Sequence, residues 1–411
     1  MTEILPRWQE KAIKTARKER RVLLFGGPRQ CGKTTLVKQL EAKTVEYRTL
    51  DDDTLKSAAE SDPKSFVDHE QDMLIIDEIQ HVPALLPAIK KVVDNNKAPG
   101  QFLLTGSANI QALPSANESL AGRIANIRLR TLTEGEIRGR KPQFLEKAFK
   151  QSFKRQNWEN YNRDAVLEIA FRGGFPEIIK SSTRSRRRWH RDYIRALLER
   201  DLKEIAKIHR HDAMRELVNT LAAWSSKYMD IAAIGGNLAI RRPTLESYIN
   251  TLETLYLVER VHPWTKTDYG RVGKQKKIFM TDTGLMTSIL RWNIDQVRND
   301  SDRSGKLIES FVFNELVTLI DIGDGEYELY HYRDREQREI DFIVERNDGT
   351  ILGIEVKASA TAAKDDFKHL KWFKDNIAKD TPFIGIILYT GETALSFGGS
   401  LWAVPFGAMW N

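Results

Sequence analysis

Leu23-Leu24-Phe25-Gly26-Gly27-Pro28-Arg29-Gln30-Cys31-Gly32-Lys33-Thr34-Thr35 is the stretch whose reading decides the fold. The apolar run from Val22 to Phe25 reads as a short buried strand. Gly27 and Gly32 bracket four residues, Lys33-Thr34 follow, and Leu36, Val37 and Leu40 recur at helical spacing. A G-x-x-x-x-G-K-[ST] loop between a strand and a helix binds phosphate. Its glycines let successive backbone N–H groups turn inward as a nest for phosphate oxygens. The helix that begins near Lys33 adds its positive N-terminal end. The spacing therefore places Gly27, Pro28, Arg29, Gln30, Cys31, Gly32, Lys33, Thr34 and Thr35 around the phosphates of ATP. Lys33 reaches the β- and γ-phosphates, and the Thr34 hydroxyl takes a place on Mg²⁺.

Working outward, Trp8, Ala12, Ile13 and Ala16 mark an amphipathic helix before this strand. Val45 to Leu50 reads as a strand ending in three aspartates. Met73-Leu74-Ile75-Ile76 is another, tipped by Asp77-Glu78. An acid pair at such a tip is a Walker B pattern, with Asp77 holding Mg²⁺ through water and Glu78 polarising the attacking water. Gln101 to Ser107 is a further strand with a polar tip, which brings Thr105 and Ser107 toward the γ-phosphate. Ser119-Leu120-Ala121-Gly122-Arg123 precedes a strand from Ile124 to Leu129.

The chain has 411 residues, enough for two to four domains. Hydrophobic content is 41% and charged content 29%, ordinary for a soluble protein. No run approaches the roughly 18 apolar residues of a membrane span. Met1 to Arg7 lacks the apolar core of a signal peptide. The single cysteine, Cys31, excludes an internal disulfide framework and fits a reducing cytoplasm, so a cytoplasmic protein is expected. A formal charge of +7 points to nucleic acid only where the charge is clustered.

The phosphate loop, Asp77-Glu78-Ile79-Gln80, Leu104-Thr105-Gly106-Ser107 and Ser119-Leu120-Ala121-Gly122-Arg123 together resemble the AAA+ family of the AAA_14 and DUF4143 type. The resemblance covers essentially the whole chain. It implies an ATPase in which Thr105 and Ser107 sense the γ-phosphate and Arg123 reaches a neighbouring subunit's ATP. A homo-oligomer is thereby implied, from a dimer up to a hexameric ring. Phe171-Arg172-Gly173-Gly174-Phe175-Pro176-Glu177 resembles the family's Gly-Gly-Phe-Pro hallmark and opens a helical lid, with Arg172 as a second sensor of nucleotide. Cys31 stands where the family pattern has valine.

Thr183-Arg184-Ser185-Arg186-Arg187-Arg188-Trp189-His190-Arg191 is the densest basic run. Tyr193, Ile194, Leu197 and Leu198 continue it as a helix, which spreads the basic residues over several faces. It is either a solvated helix end or a phosphate contact. His209 and His211 have no metal-ligating partners at matching spacing and read as surface residues.

From Met214 the pattern is helix, short helix, turn, helix and basic hairpin, the layout of a winged helix. Leu245, Tyr248, Ile249, Leu252, Leu255 and Tyr256 line one face of its third helix. Arg241, Arg242 and Ser247 mark the exposed start of that helix, and Lys266, Arg271, Lys274, Lys276 and Lys277 line the hairpin. These eight residues are expected to contact duplex or branched DNA; the alternative is a fold used for protein packing.

The last hundred residues carry Glu309 on a helix, Asp341 on a strand, the hairpin turn Asp348-Gly349, and Glu355-Val356-Lys357 on the return strand. This matches the PD-(D/E)xK nuclease pattern. Residues two apart in a strand share a face, so Glu355 and Lys357 point together. Glu309, Asp341 and Glu355 would hold Mg²⁺ or Mn²⁺, ions that prefer oxygen ligands. Lys357 would orient water.

The expected architecture is α/β: a P-loop AAA+ core with a parallel sheet over residues 1–165, a helical lid over 166–212, a winged helix over 213–300, and a restriction-endonuclease-like α/β domain over 301–411. The expected function is ATP hydrolysis coupled to DNA, with metal-dependent cleavage left open. The alternative is an ATP-controlled switch whose last domain only binds partners.

Overall fold

The computed structural model describes residues 4–40, 44–107, 120–153, 158–202, 211–267, 275–323 and 325–410. Five strands form the first sheet: β1 (Val22–Gly26), β2 (Val45–Thr49), β3 (Met73–Asp77), β4 (Phe102–Gly106) and β5 (Ile124–Arg128). Their order is β2-β3-β4-β1-β5 and every pairing is parallel. Leu23, Phe25, Ile75 and Leu103 pack on one face with Ile13 of α1 (Gln9–Glu19) and Leu36 and Val37 of α2 (Lys33–Lys38). Val22, Leu24, Leu74, Ile76, Phe102 and Leu104 pack on the other with Leu85, Leu86, Ile89 and Val93 of α3 (Leu85–Asn95). Burial on both faces is why the central strands read as unbroken apolar runs. Because β4 lies between β1 and β3, its tip stands beside both the phosphate loop and the acid pair.

The remainder begins with α4 (Arg163–Arg172) and α5 (Thr183–Ala196). Next come α6 (His211–Trp224), β6 (Lys227–Tyr228), α7 (Ile231–Leu238), α8 (Arg242–Thr254), β7 (Val258–Pro263) and β8 (Lys277–Met280). Asp230 caps α7 by accepting the Ala233 N–H, and Pro243 sits in the first turn of α8. The chain closes with α9 (Ser301–Asp321), β9 (Tyr327–Arg333), β10 (Glu339–Arg346), β11 (Ile351–Val356), α10 (Lys368–Asn376), β12 (Phe383–Tyr389), β13 (Leu395–Gly398) and β14 (Leu401–Pro405).

The basic hairpin expected to contact DNA is interior to a nine-stranded sheet, ordered β13-β14-β12-β11-β10-β9-β7-β8-β6. β7 pairs in parallel with β9 at His262–Tyr330 and Pro263–His331. The boundary expected at residue 300 is thus crossed by a sheet, because β9 satisfies an edge of β7 that would otherwise present unpaired backbone groups. One apolar core runs from Phe144 through the α4–α8 helices to Trp410. Within it Phe279 stacks on Phe313 at 4.3 Å, joining β8 to α9.

Two histidines lie in this body. His190 of α5 contacts the Ser288 hydroxyl at 2.7 Å, and His331 of β9 contacts the Gln275 carbonyl at 3.2 Å. Burial, reinforced by Arg186 beside His190 and by Lys277 beside His331, pushes each imidazole down to about 3. Both rings are therefore neutral in the folded chain, whereas an unfolded imidazole takes a proton near about 6.5. The stability they carry is full above that value and is lost as pH falls toward the folded value. In urea denaturation at about pH 5 and about pH 7, each ring should lower the unfolding free energy at the lower pH by about 2 kcal/mol, against an opposite contribution from the buried carboxyls of Glu309, Glu315 and Glu355, pushed up to about 8. His190→Gln should remove one ring's share of that dependence.

Candidate functional site

The turn between β1 and α2 needs its glycines. A side chain at Gly27 would meet the Leu129 carbonyl at 2.1 Å, and Gly32 has φ of +100°. Lys33 is buried, and its ammonium donates to the carbonyls of Gly27 at 2.9 Å and Pro28 at 3.0 Å. Cys31 is buried in the apolar layer beneath the loop, and its thiol contacts the Leu129 carbonyl at 3.6 Å.

Asp77, at the tip of β3, gathers three hydroxyls. Thr34 donates at 3.0 Å and Tyr47 of β2 at 2.6 Å, both to Oδ2, while Thr105 of β4 donates to Oδ1. Burial, with the Asp77 contact behind it, raises the Tyr47 phenol well above its ordinary range, so it remains a donor. Glu78 has φ of 58°, an unfavourable backbone for a non-glycine residue that turns its side chain toward the loop. Its Oε2 accepts the Ser107 N–H at 3.1 Å and the Gln80 amide at 2.5 Å. Gln80 also donates to the Ser107 hydroxyl at 3.1 Å. Tyr47 and Gln80 were not read as site residues from the sequence. Gln80 lies two positions past the acid pair, a usable local signal; Tyr47 reaches Asp77 only because β2 pairs with β3.

A cavity of about 660 Å³ opens over this constellation. Arg29, Gln30, Gly32, Lys33, Thr34 and Thr35 line its middle, Asp51 and Glu78 one part, and Leu5, Leu132, Pro176 and Ile179 an aliphatic part. The volume suits a nucleotide. The hard oxygen donors of Thr34 and Asp77 fit a magnesium ion.

Arg172 corrects an expectation. It does not line this cavity; its guanidinium pairs with Glu134 and faces a second cavity with Arg138 and Arg186. The Gly173-Gly174 turn that follows is tightly packed: a side chain at Gly173 would lie 2.6 Å from the Asp282 carboxylate, which also accepts the Gly174 N–H. The same turn instead supplies Pro176 to the nucleotide cavity, followed by Glu177, Ile179 and Lys180. Arg123 precedes β5, at the sheet edge opposite the phosphate loop, and pairs with Asp94 of α3. Ser119 lies outside the described residues.

Lys277 requires the largest correction. Expected on a DNA-facing hairpin, it is buried on β8. Its ammonium lies 2.5 Å from Glu309 Oε1, 3.0 Å from Glu339 Oε1 and 3.8 Å from Asp341 Oδ1. Burial works against this charge, but the carboxylates of Glu309, Asp341 and Glu339 outweigh it and hold the ammonium above its ordinary range. Asp341 stands at a bulge in β10, between Ile340 and Ile343, and Oδ2 accepts the Val356 N–H at 2.9 Å. Glu355 is buried, and burial together with Asp341 pushes its carboxyl up to about 8. Lys357 leans away, 3.7 Å from Asp366. The expected nuclease residues do converge, but an ammonium fills the place a metal would take. Among the described residues no group of three His, Cys, Asp or Glu side chains is arranged to hold a metal ion. A divalent ion does not fit the set as it stands.

Of the other DNA candidates, Arg241, Arg242, Ser247 and Lys266 are exposed, and Arg242 pairs with Glu246 at 2.9 Å. Lys276 is half-buried. Arg271 and Lys274 lie outside the described residues. Among the described residues no helix is long and apolar enough to cross a membrane.

Residues 19–138 match the AAA_14 family model, an AAA domain. The parallel sheet, the phosphate loop and the acid-tipped β3 accordingly make this a P-loop AAA+ ATPase domain. More particularly, the chain joins an AAA_14 domain to a DUF4143 domain at residues 304–409, a domain of unknown function. Between them residues 163–296 match DUF8612, also a domain of unknown function. Two curated relatives, uncharacterized proteins Mb2031c of Mycobacterium bovis and Rv2008c of Mycobacterium tuberculosis, are each 27% identical over 93% of this chain and 80% of their own length. Among solved structures, the RuvB Holliday junction branch migration motor of Thermotoga maritima is 17% identical, covering 62% of this chain and 90% of its own, at a TM-score of 0.27. AMPPCP-bound DnaA from Aquifex aeolicus is 12% identical, covering 59% of this chain and 85% of its own, at a TM-score of 0.28.

Removing Lys277 leaves buried carboxylates without their cation. Lys277→Ala should lower stability by about 3–5 kcal/mol in thermal or urea unfolding. Lys266→Ala, on an exposed position of the same loop region, should change it by less than about 0.5 kcal/mol.

Proposed function

We propose that this protein hydrolyses ATP and acts on duplex or branched DNA. The observation that carries the ATP reading is the convergence of Lys33, Thr34, Asp77 and Glu78 around one cavity, with Thr105 bridging Asp77 and the Glu78 backbone. Lys33 leaves the loop carbonyls for the β- and γ-phosphates. Thr34 and Asp77 would hold magnesium, which would offset phosphate charge when bound. Glu78 orients the attacking water once γ-phosphate contacts draw Ser107 and Gln80 away from its carboxylate. Leu5, Leu132, Pro176 and Ile179 enclose the base. Arg123 acts across a subunit boundary after exchanging Asp94 for a neighbour's nucleotide, which makes the working form an oligomer.

For DNA, the support is the exposed start of α8, where Arg241, Arg242 and Ser247 face solvent, and Lys266, past β7, is exposed as well. This unit, within residues 213–300, is read as a winged helix presenting α8 to the major groove. Cleavage is not part of the proposal, because Lys277 occupies the carboxylate site. That same observation favours a second reading, an ATP-controlled switch whose last domain binds a partner without chemistry.

ATP turnover with and without duplex, forked and single-stranded DNA separates the two. Glu78→Gln should lower turnover by about 100-fold or more while ATP still binds. Stimulation by duplex or forked DNA is expected, with no cutting in Mg²⁺ or Mn²⁺. Turnover indifferent to every DNA would leave the switch.

A further inference from the structure

Six arginines stand against one acid, Asp192, in α5, so this fourteen-residue helix has a net charge of +5 when the whole chain has +7. The charge is clustered, and its arrangement is more specific than the sequence suggests. Arg184, Arg188, Arg191 and Arg195 fall at i, i+4, i+7 and i+11, a single stripe along the helix. All four are exposed. Arg186 and Arg187 leave the stripe to bond the Ser181 and Trp292 carbonyls. The basic run therefore does not spread evenly over the helix, as its density alone implies.

Three features say that the stripe serves something outside the chain. Among the described residues no carboxylate pairs with Arg184, Arg188 or Arg195, and Arg191 has only Asp192 at 3.8 Å. The first turn holds no acid, so the arginines near its start oppose the helix dipole. They cost the helix stability where aspartate or glutamate would add it. The opposite face is rigid: Tyr193 stacks on Trp189 at 5.2 Å, Phe175 packs 5.0 Å from each of them, and His190 is buried.

We infer that α5 is a phosphate-backbone contact for duplex DNA. The row spans about 16 Å at the helical rise, more than the roughly 12 Å width of the major groove, so its ends address phosphates of both strands. Arginine suits phosphate because its planar fork makes paired hydrogen bonds. Single-stranded binding uses aromatic platforms for base stacking, and the stripe offers none. The contact is blind to sequence and fixes the position of the duplex. It rests on the DNA reading above but assigns the affinity to α5 in place of α8.

The test is fluorescence anisotropy of full-length protein with a 5′-labelled duplex over a series of salt concentrations. One variant carries Arg184→Gln, Arg188→Gln, Arg191→Gln and Arg195→Gln; a second carries Arg241→Gln and Arg242→Gln. The expected result is a Kd raised at least about 100-fold for the first variant near about 0.1 M salt, with a slope of log K against log salt shallower by about 3.6, the value for four lost phosphate contacts. Unchanged circular dichroism and basal ATP turnover establish that this variant is folded. A first variant that binds duplex like wild type, with an unchanged slope, overturns the inference; if the second variant then loses binding, the winged-helix reading survives it. Equal loss on single strands and duplex overturns the duplex assignment. Capture of polyglutamate but not duplex by wild type overturns it in favour of an acidic protein. Wild type that binds no nucleic acid overturns both the inference and the reading beneath it.

Discussion

Arg130 is withdrawn from water just past the end of β5, and a buried guanidinium is tolerable only where carboxylates meet it. It finds Glu259 of β7 at 2.7 Å and Asp321, the last residue of α9, at 2.6 Å. Arg128 joins at 2.7 Å from Glu259. Burial opposes the charge on Glu259, but Arg128 and Arg130 outweigh it and pull its carboxyl down to about 2. Two cations and two anions from three parts of the chain thus neutralise one another in one place. This knot fixes how the first sheet sits on the nine-stranded one. It also reaches the phosphate loop: Arg7 donates to the Arg130 carbonyl at 2.6 Å, to the Cys31 carbonyl at 2.7 Å and to Glu136 at 3.0 Å. Tyr256, beside Arg128, lies close enough to Gly26 that a side chain there would meet its hydroxyl at 2.4 Å. The loop that holds phosphate is therefore built against the rest of the protein, not hung from an independent domain.

The second sheet follows a similar logic with the sign reversed. Glu309, Glu339 and Asp341 come from α9 and β10, and the cation that balances them, Lys277, comes from β8. Backbone pairing of β7 with β9 sets the separation at which that lysine can reach. With Lys277 between them, the acids serve as a joint between two halves of one sheet. Lys357 pairs with Asp366 at 3.7 Å and its charge also acts on Glu355 and Asp341.

What was legible in the sequence divides along the length over which each interaction is made. The phosphate loop and the Asp77-Glu78 tip are contiguous, so residue order alone states their chemistry, and the unbroken apolar runs of β1, β3 and β4 announce a sheet covered on both faces. The DNA assignment of Lys277 failed because a basic hairpin reads as solvent-facing when its neighbours in space are unknown; Glu309 and Asp341 are remote in sequence, and no local pattern marks the pairing. Arg172 failed for a related reason. The Gly-Gly turn was recognised, but which way it faces is set by Asp282, far along the chain. The basic run of α5 was legible as density, open to a solvated helix end or a phosphate contact, and the helix register adds that four of its arginines fall in one row.

The two treatments of positive charge belong together. A chain that must bury carboxylates at its internal joints needs internal cations, and Arg130 and Lys277 are spent that way, invisible to any partner. Other cations stay outside, and among the described residues Arg184, Arg188 and Arg195 pair with no carboxylate. On α5 they lie at one helical period, on a helix held rigid by its aromatic face, and Arg184 in its first turn opposes that helix's own dipole. A surface of this kind is not explained by folding, since folding would be better served by acids in the first turn. It is explained by a polyanion whose charges repeat along a line, and the phosphate backbone of a duplex is such a line.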